Sequence, residues 1–268
     1  MPTPPASSRF AGGVFCATSG VCYNAANQWF ATLISTNEET GARPPLMQPP
    51  LRGDLLPKGL PGMNSNQIPN QTPSSAAPFT YVTVVSGLPR SGTSMMMQML
   101  AAGGLTAMTD AIRQADADNP RGYFEVERVK RLKDGDVAWM VEAEGKAIKI
   151  ISALLEHLPP GHHYKVIFMQ RALEETLASQ RKMLIHRGED PARIDDAELT
   201  RLFQKHLQKI EAWLASQPNI EVLYVNYNEM VAAPQPFVAQ INRFLDQRLD
   251  SEQMLAAVDR NLYRNRAA

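Results

Sequence analysis

Between residues 79 and 104 a strand-forming run, a Gly/Ser/Pro turn and a helix-forming run follow one another directly. Phe79–Val85 is β-branched and aromatic and reads as a strand, closed by the turn Ser86–Gly92. A helix is expected over Thr93–Ala102, with Gly103 and Gly104 as its stop. A turn between strand and helix exposes several backbone N–H groups in a concave nest, and the helix adds the positive end of its dipole. The segment therefore predicts an anion site, with phosphate the natural occupant. Gly87 and Gly92 let the backbone approach closely, Thr93 and Ser94 add hydroxyl donors, and Arg90 is the cation inside the loop.

Further on, Ala147–Ile151, Lys165–Met169 and Val222–Tyr227 are short apolar runs that read as strands. Leu173–Ile185 predicts a helix, with Glu174 and Glu175 in its first turn where the dipole favours acids. Leu199, Leu202, Phe203, His206, Leu207, Ile210, Trp213 and Leu214 recur at three- and four-residue steps and predict one apolar helix face. Phe237–Leu245 is a last helix. Strands that alternate with helices indicate an α/β domain with a mainly parallel sheet, and no internal repeat interrupts the pattern.

The first 78 of the 268 residues differ. They hold 12 of the 20 prolines, a density that works against regular structure. The expected organisation is an irregular N-terminal extension over 1–78 and one domain over 79–268. Within the extension, Tyr23–Ile34 could form a short helix, Asn64–Pro78 reads as a linker, and Met47 and Met63 are alternative starts. Cys16 and Cys22 lack the second Cys/His pair of a zinc site and read as incidental thiols, which suits a reducing, cytoplasmic compartment. A formal net charge of zero gives no reason to expect nucleic acid as a partner. No signal peptide and no apolar run of about 18 residues is present, so no membrane span is expected.

Gly87, four residues, Gly92, Thr93 and Ser94 match the spacing of a Walker A loop, but Thr93 stands where the lysine belongs. That substitution counts against a nucleoside triphosphatase or kinase with a degenerate loop, as does the strand Lys165–Met169, which ends in Gln170–Arg171 rather than an Asp. The loop instead resembles that of the sulfotransferase family, P-[KR]-S-G-T-[ST], at Pro89, Arg90, Ser91, Gly92, Thr93 and Ser94. In that family the loop grips the 5′-phosphosulfate of 3′-phosphoadenosine-5′-phosphosulfate (PAPS). The resemblance further implies an Arg at the end of a strand and a Ser eight residues later, both on the 3′-phosphate. Arg171 and Ser179 have that spacing. The likeness covers roughly Tyr81 to Leu245, and implies a P-loop-type three-layer α/β/α fold, PAPS as donor and no metal.

The resemblance also bears on the acceptor side. DNPRGYFEVERV is similar to an NP-[KR]-G-[YFW]-[WF]-E segment of bacterial sulfotransferase-like proteins, which makes Glu125 the first candidate base; Asp110, upstream of that segment, is the second candidate. An ion pair of Glu125 with Arg121 or Arg128 is the structural alternative. Arg90 would act as fixed positive charge, because its pKa is too high for proton donation. Lys146 and Lys149 could stand near the donor or be strand-end surface residues. Arg264 and Arg266 could close over the nucleotide or belong to a frayed tail. His206 reads as packed, and His162 and His163 as a turn. Met95, Met96, Met97 and Met99 read as core filling, with an acceptor pocket as the lesser alternative. The expected activity is sulfuryl transfer to a hydroxyl or amine of a small-molecule, carbohydrate or peptide acceptor. A non-catalytic relative that binds adenosine 3′,5′-bisphosphate is the alternative. Acceptor identity and oligomeric state have no sequence signal.

Overall fold

The computed structural model describes residues 79–110, 122–186, 188, 190 and 195–259. Tyr23–Ile34, the linker, both cysteines, Arg121, Arg264 and Arg266 lie outside these residues. Four strands, β1 (Val82–Gly87), β2 (Ala147–Lys149), β3 (Tyr164–Gln170) and β4 (Ile220–Asn226), pair in parallel in the order β2-β1-β3-β4. The described helices are α1 (Thr93–Ala102), α2 (Leu173–His186), α3 (Asp196–Ala215), α4 (Tyr227–Ala232), α5 (Pro234–Phe244) and α6 (Ser251–Ala256). Tighter 3-10 turns occupy Glu127–Asp134, Ala138–Ala143 and Ser152–His157.

The sheet is covered on both faces, as apolar parallel strands require. Side chains alternate across it with the period of two that a strand imposes. Val82, Val84, Val166 and Phe168 enter one cluster with Trp139, Leu155, Ile210 and Leu214, beneath α3 and the 3-10 turns. Val85, Ile167, Met169 and Val225 enter the other, with the methionines of α1 and residues of α5 and α6. Met96, Met97 and Met99 are fully buried there, which makes the run core filling. The architecture is the expected P-loop-type α/β fold with helices flanking a parallel sheet.

Element boundaries moved in informative ways. The first strand starts three residues later than its apolar run and continues through Ser86 and Gly87 into the turn. Tyr227, expected to end the last strand, instead opens α4, because Asn226 caps that helix by accepting from the N–H groups of Asn228 and Glu229. The long amphipathic helix begins at Asp196, where Asp195 accepts from the Ala197 N–H.

Candidate functional site

The loop leaves β1 at the carboxyl edge of the sheet, between β2 and β3. That is where open parallel sheets bind ligands, at the point where strand order reverses. Gly87, Arg90 and Gly92 have φ values of 144°, 72° and 100°, the left-handed side of backbone space. A Cβ on Gly87 would lie 2.6 Å from the Met169 carbonyl oxygen and from Ser91 Oγ. One on Gly92 would lie 2.2 Å from the Tyr227 ring, so both positions require glycine. Gly92 is the N-cap of α1 and has no capping side chain. Met96 N–H donates to Gly92 O (3.2 Å), and the preceding N–H groups of the helix end face the loop.

Ser91 is only 1% exposed, and its Oγ has no hydrogen-bond partner among the described residues. Buried hydroxyls are normally paired, so an orphan in a nest is what a bound oxyanion or water would satisfy. Ser91 lines a cleft of about 220 Å³ together with Leu88, Met169, Gln170, Arg171, Leu173, Thr176 and Leu207.

The expected pair on the next helix meets the loop. Arg90 Nε donates to Ser179 Oγ at 2.9 Å, and Ser179 is buried on α2. Arg171, just after β3, has more engagements than a surface cation. Its Nη1 donates to the Arg90 carbonyl oxygen (3.2 Å), and its Nε donates to Glu175 Oε2 (3.0 Å). Its guanidinium lies 4.8 Å from the centre of the Tyr227 ring. Side-chain exposure is 7% for Arg171 and 3% for Glu175. Glu175 and Tyr227 had no functional reading from sequence. The four-residue step from Arg171 to Glu175 within a helix start was the one available signal.

On the other side of β1, Glu125 Oε1 lies 3.7 Å from Lys149 Nζ, with side-chain exposures of 16% and 10%. Lys149 ends β2 beside Val85 and also donates to the Tyr123 carbonyl oxygen. Phe124, next to Glu125, has φ 51°, a second non-glycine left-handed residue at this edge. Glu125 thus pairs with Lys149, while Arg128 pairs with Asp136 (3.3 Å); Arg121, the other expected partner, lies outside the described residues. Asp110 holds the segment together. Its Oδ2 accepts from Glu127 N–H (2.6 Å) and its own N–H donates to Glu125 O (3.2 Å). That backbone role explains the position of Asp110 and makes it the weaker base candidate.

His206 packs as expected, with Nε2 2.9 Å from Ser152 Oγ, and burial lowers its pKa to about 4. His162 pairs with Glu144 (2.9 Å), and the His163 carbonyl accepts from Val82 N–H, both in the turn before β3. Among the described residues no group of three or more His, Cys, Asp or Glu is placed to hold a metal ion. No described helix is long and apolar enough to cross a membrane.

A parallel sheet with a glycine-turned loop and an uncapped helix end at the carboxyl edge of β1 defines an α/β protein of the P-loop type. A model of the sulfotransferase family matches residues 123–251. The match contains Glu125, Arg171 and Ser179 and begins after the loop. No curated protein matches the sequence. Similar solved structures include a sulfotransferase domain from the olefin synthase of Synechococcus PCC 7002, at 16% identity and TM-score 0.43, over 72% of this chain and 83% of that one. The sulfotransferase STF1 of Mycobacterium tuberculosis H37Rv is 16% identical with TM-score 0.44, over 67% and 71%. A sugar kinase from Janibacter sp. HTCC2649 is 14% identical with TM-score 0.32, over 68% and 98%. At these scores the functional reading rests on the family match and on the residues of the site.

Proposed function

We propose that this protein transfers a sulfuryl group from PAPS to a hydroxyl or amine acceptor. The observation that carries the reading is the Arg90–Ser179 hydrogen bond. It joins the two segments that, by family resemblance, address the two ends of one nucleotide. The orphan Ser91 hydroxyl and the two glycines that exclude a Cβ fit a phosphate at the loop. Pro89, Thr93 and Ser94 complete that loop, while Arg171 and Ser179 serve the 3′-phosphate side.

The donor, when bound, supplies an activated sulfuryl group on a phosphate leaving group. Glu125 takes the acceptor's proton as the acceptor atom bonds to sulfur. Arg90 and the start of α1 offset the negative charge that grows on the departing phosphate oxygen. Arg90 does this as fixed charge, with no proton moving from it.

The test is thermal shift with adenosine 3′,5′-bisphosphate against ADP. At 100 times its Kd the bisphosphate should stabilise by about 2.7 kcal/mol. Equal stabilisation by ADP removes the 3′-phosphate site from the reading. Labelled PAPS with a panel of alcohols, phenols and amines then reads the transfer itself, and nucleotide binding without any labelled product points to a non-catalytic binder.

A further inference from the structure

A buried acid beside a phosphate-binding arginine calls for an explanation. Negative charge there weakens the attraction for an incoming phosphate, so Glu175 does not serve the ligand directly. Its contacts show a geometric task. Glu175 sits one helical turn after Arg171 and fixes the guanidinium through Nε (3.0 Å). The Tyr227 ring carries the same guanidinium on its face. Held in this way, Arg171 directs Nη1 to the carbonyl oxygen of Arg90, a non-glycine residue at φ 72°. Left-handed backbone at such a residue persists only where its surroundings over-determine it. Tyr227 also closes against Gly92, so the assembly meets the loop at two points.

We propose that Glu175 and Tyr227 are positioning residues that set the shape of the phosphate loop through Arg171, independently of the 3′-phosphate. The inference rests on the nucleotide reading above for its ligands, and on the loop alone for its geometry. Glu175 orders the guanidinium, the guanidinium holds the Arg90 carbonyl outward, and the N–H groups of the nest stay turned toward the anion.

Two measurements on the full chain test it. Hydrogen exchange of the ligand-free protein should show amides of the Gly87–Met95 segment exchanging about tenfold faster in Glu175→Gln, with β3 unchanged. Tyr227→Leu, which keeps a buried apolar side chain, should give the same local acceleration and serves where Glu175→Gln fails to fold. Loop exchange as slow as wild type overturns the proposal. Affinity is then compared for adenosine 3′,5′-bisphosphate and adenosine 5′-monophosphate. A loss of about tenfold for the monophosphate, whatever the further loss for the bisphosphate, supports action through the loop. A loss confined to the bisphosphate overturns it and leaves Glu175 as a partner of a 3′-phosphate ligand only. A wild-type protein that fails to prefer the bisphosphate counts against the nucleotide reading, and loop exchange still decides the positioning role.

Discussion

Individual backbone angles control this site. Gly92 combines a φ of 100° with a Tyr227 ring in the space a Cβ would need. Gly92→Ala should cost roughly 1–3 kcal/mol in urea unfolding, by strain and by displacing the ring. It should also weaken nucleotide binding at least tenfold, because the loop's N–H groups turn with Gly92. Glu125 sets the chemical step in the proposed mechanism. Glu125→Gln should lower kcat about a hundredfold with donor affinity kept, measured with labelled PAPS, and unchanged turnover removes Glu125 as the base. The loop residues were legible in the sequence because their chemistry is local: glycines, hydroxyls and a cation on consecutive positions. Tyr227 was not. As the apparent last residue of a strand it had no relation to Gly92, and only the turn at Asn226 brings it beneath the loop.

Helices and strands meet at a second polar cluster, on the opposite edge of the sheet. Lys165 on β3 donates to Asp246 Oδ1 (2.6 Å) and to the Phe244 carbonyl oxygen (2.9 Å), and Tyr81 donates to Asp246 Oδ2 (2.9 Å). These bonds tie the end of α5 to the start of β1 and β3. Burial, then the Asp246 carboxylate, push the Tyr81 phenol well above its usual range. The two partners of the ion pair differ in exposure, 11% for Lys165 against 47% for Asp246. Asp246→Ala should therefore be the more damaging change, since it leaves an ammonium group in the interior, at a cost of about 3 kcal/mol. Lys165→Met leaves a carboxylate that water can reach and should cost about 1 kcal/mol. Chemical denaturation of both variants checks the order, and the reverse order defeats the argument. All four described strands and all four described helices of ten or more residues were legible from apolar runs, helical periodicity and stop signals to within three residues. The 3-10 turns between Glu127 and His157 were not, because each is too short to show a period and follows the shape of the sheet face it covers.

For the whole molecule, pH acts on stability through His206. Its pKa falls to about 4, chiefly by burial, with Lys209 lowering it further and Glu156 opposing. An unfolded chain takes up that proton near the ordinary value of about 6.5. The stabilising contribution is thus intact above about pH 6.5 and lost progressively as pH falls toward 4. At one pKa unit per 1.36 kcal/mol, the loss amounts to roughly 3 kcal/mol. Urea midpoints between pH 7 and 4 should fall steeply in the wild type and less in His206→Gln. Equal slopes would show that other groups dominate.

The pairing of β1 has a kinetic consequence. Val85 is bonded beside Lys149 on one side and Ile167 on the other, and both partners lie far along the chain. The strand that bears the loop has no neighbour close in sequence to nucleate on, and distant parallel pairings form late. Competence to bind the nucleotide should therefore be the last property to return on refolding. Stopped-flow experiments that follow burial of Trp139 should show collapse well before a fluorescent adenosine 3′,5′-bisphosphate is captured. A nascent or partly folded chain would then hold no donor, and the sulfuryl transfer proposed above would be confined to molecules whose sheet is complete.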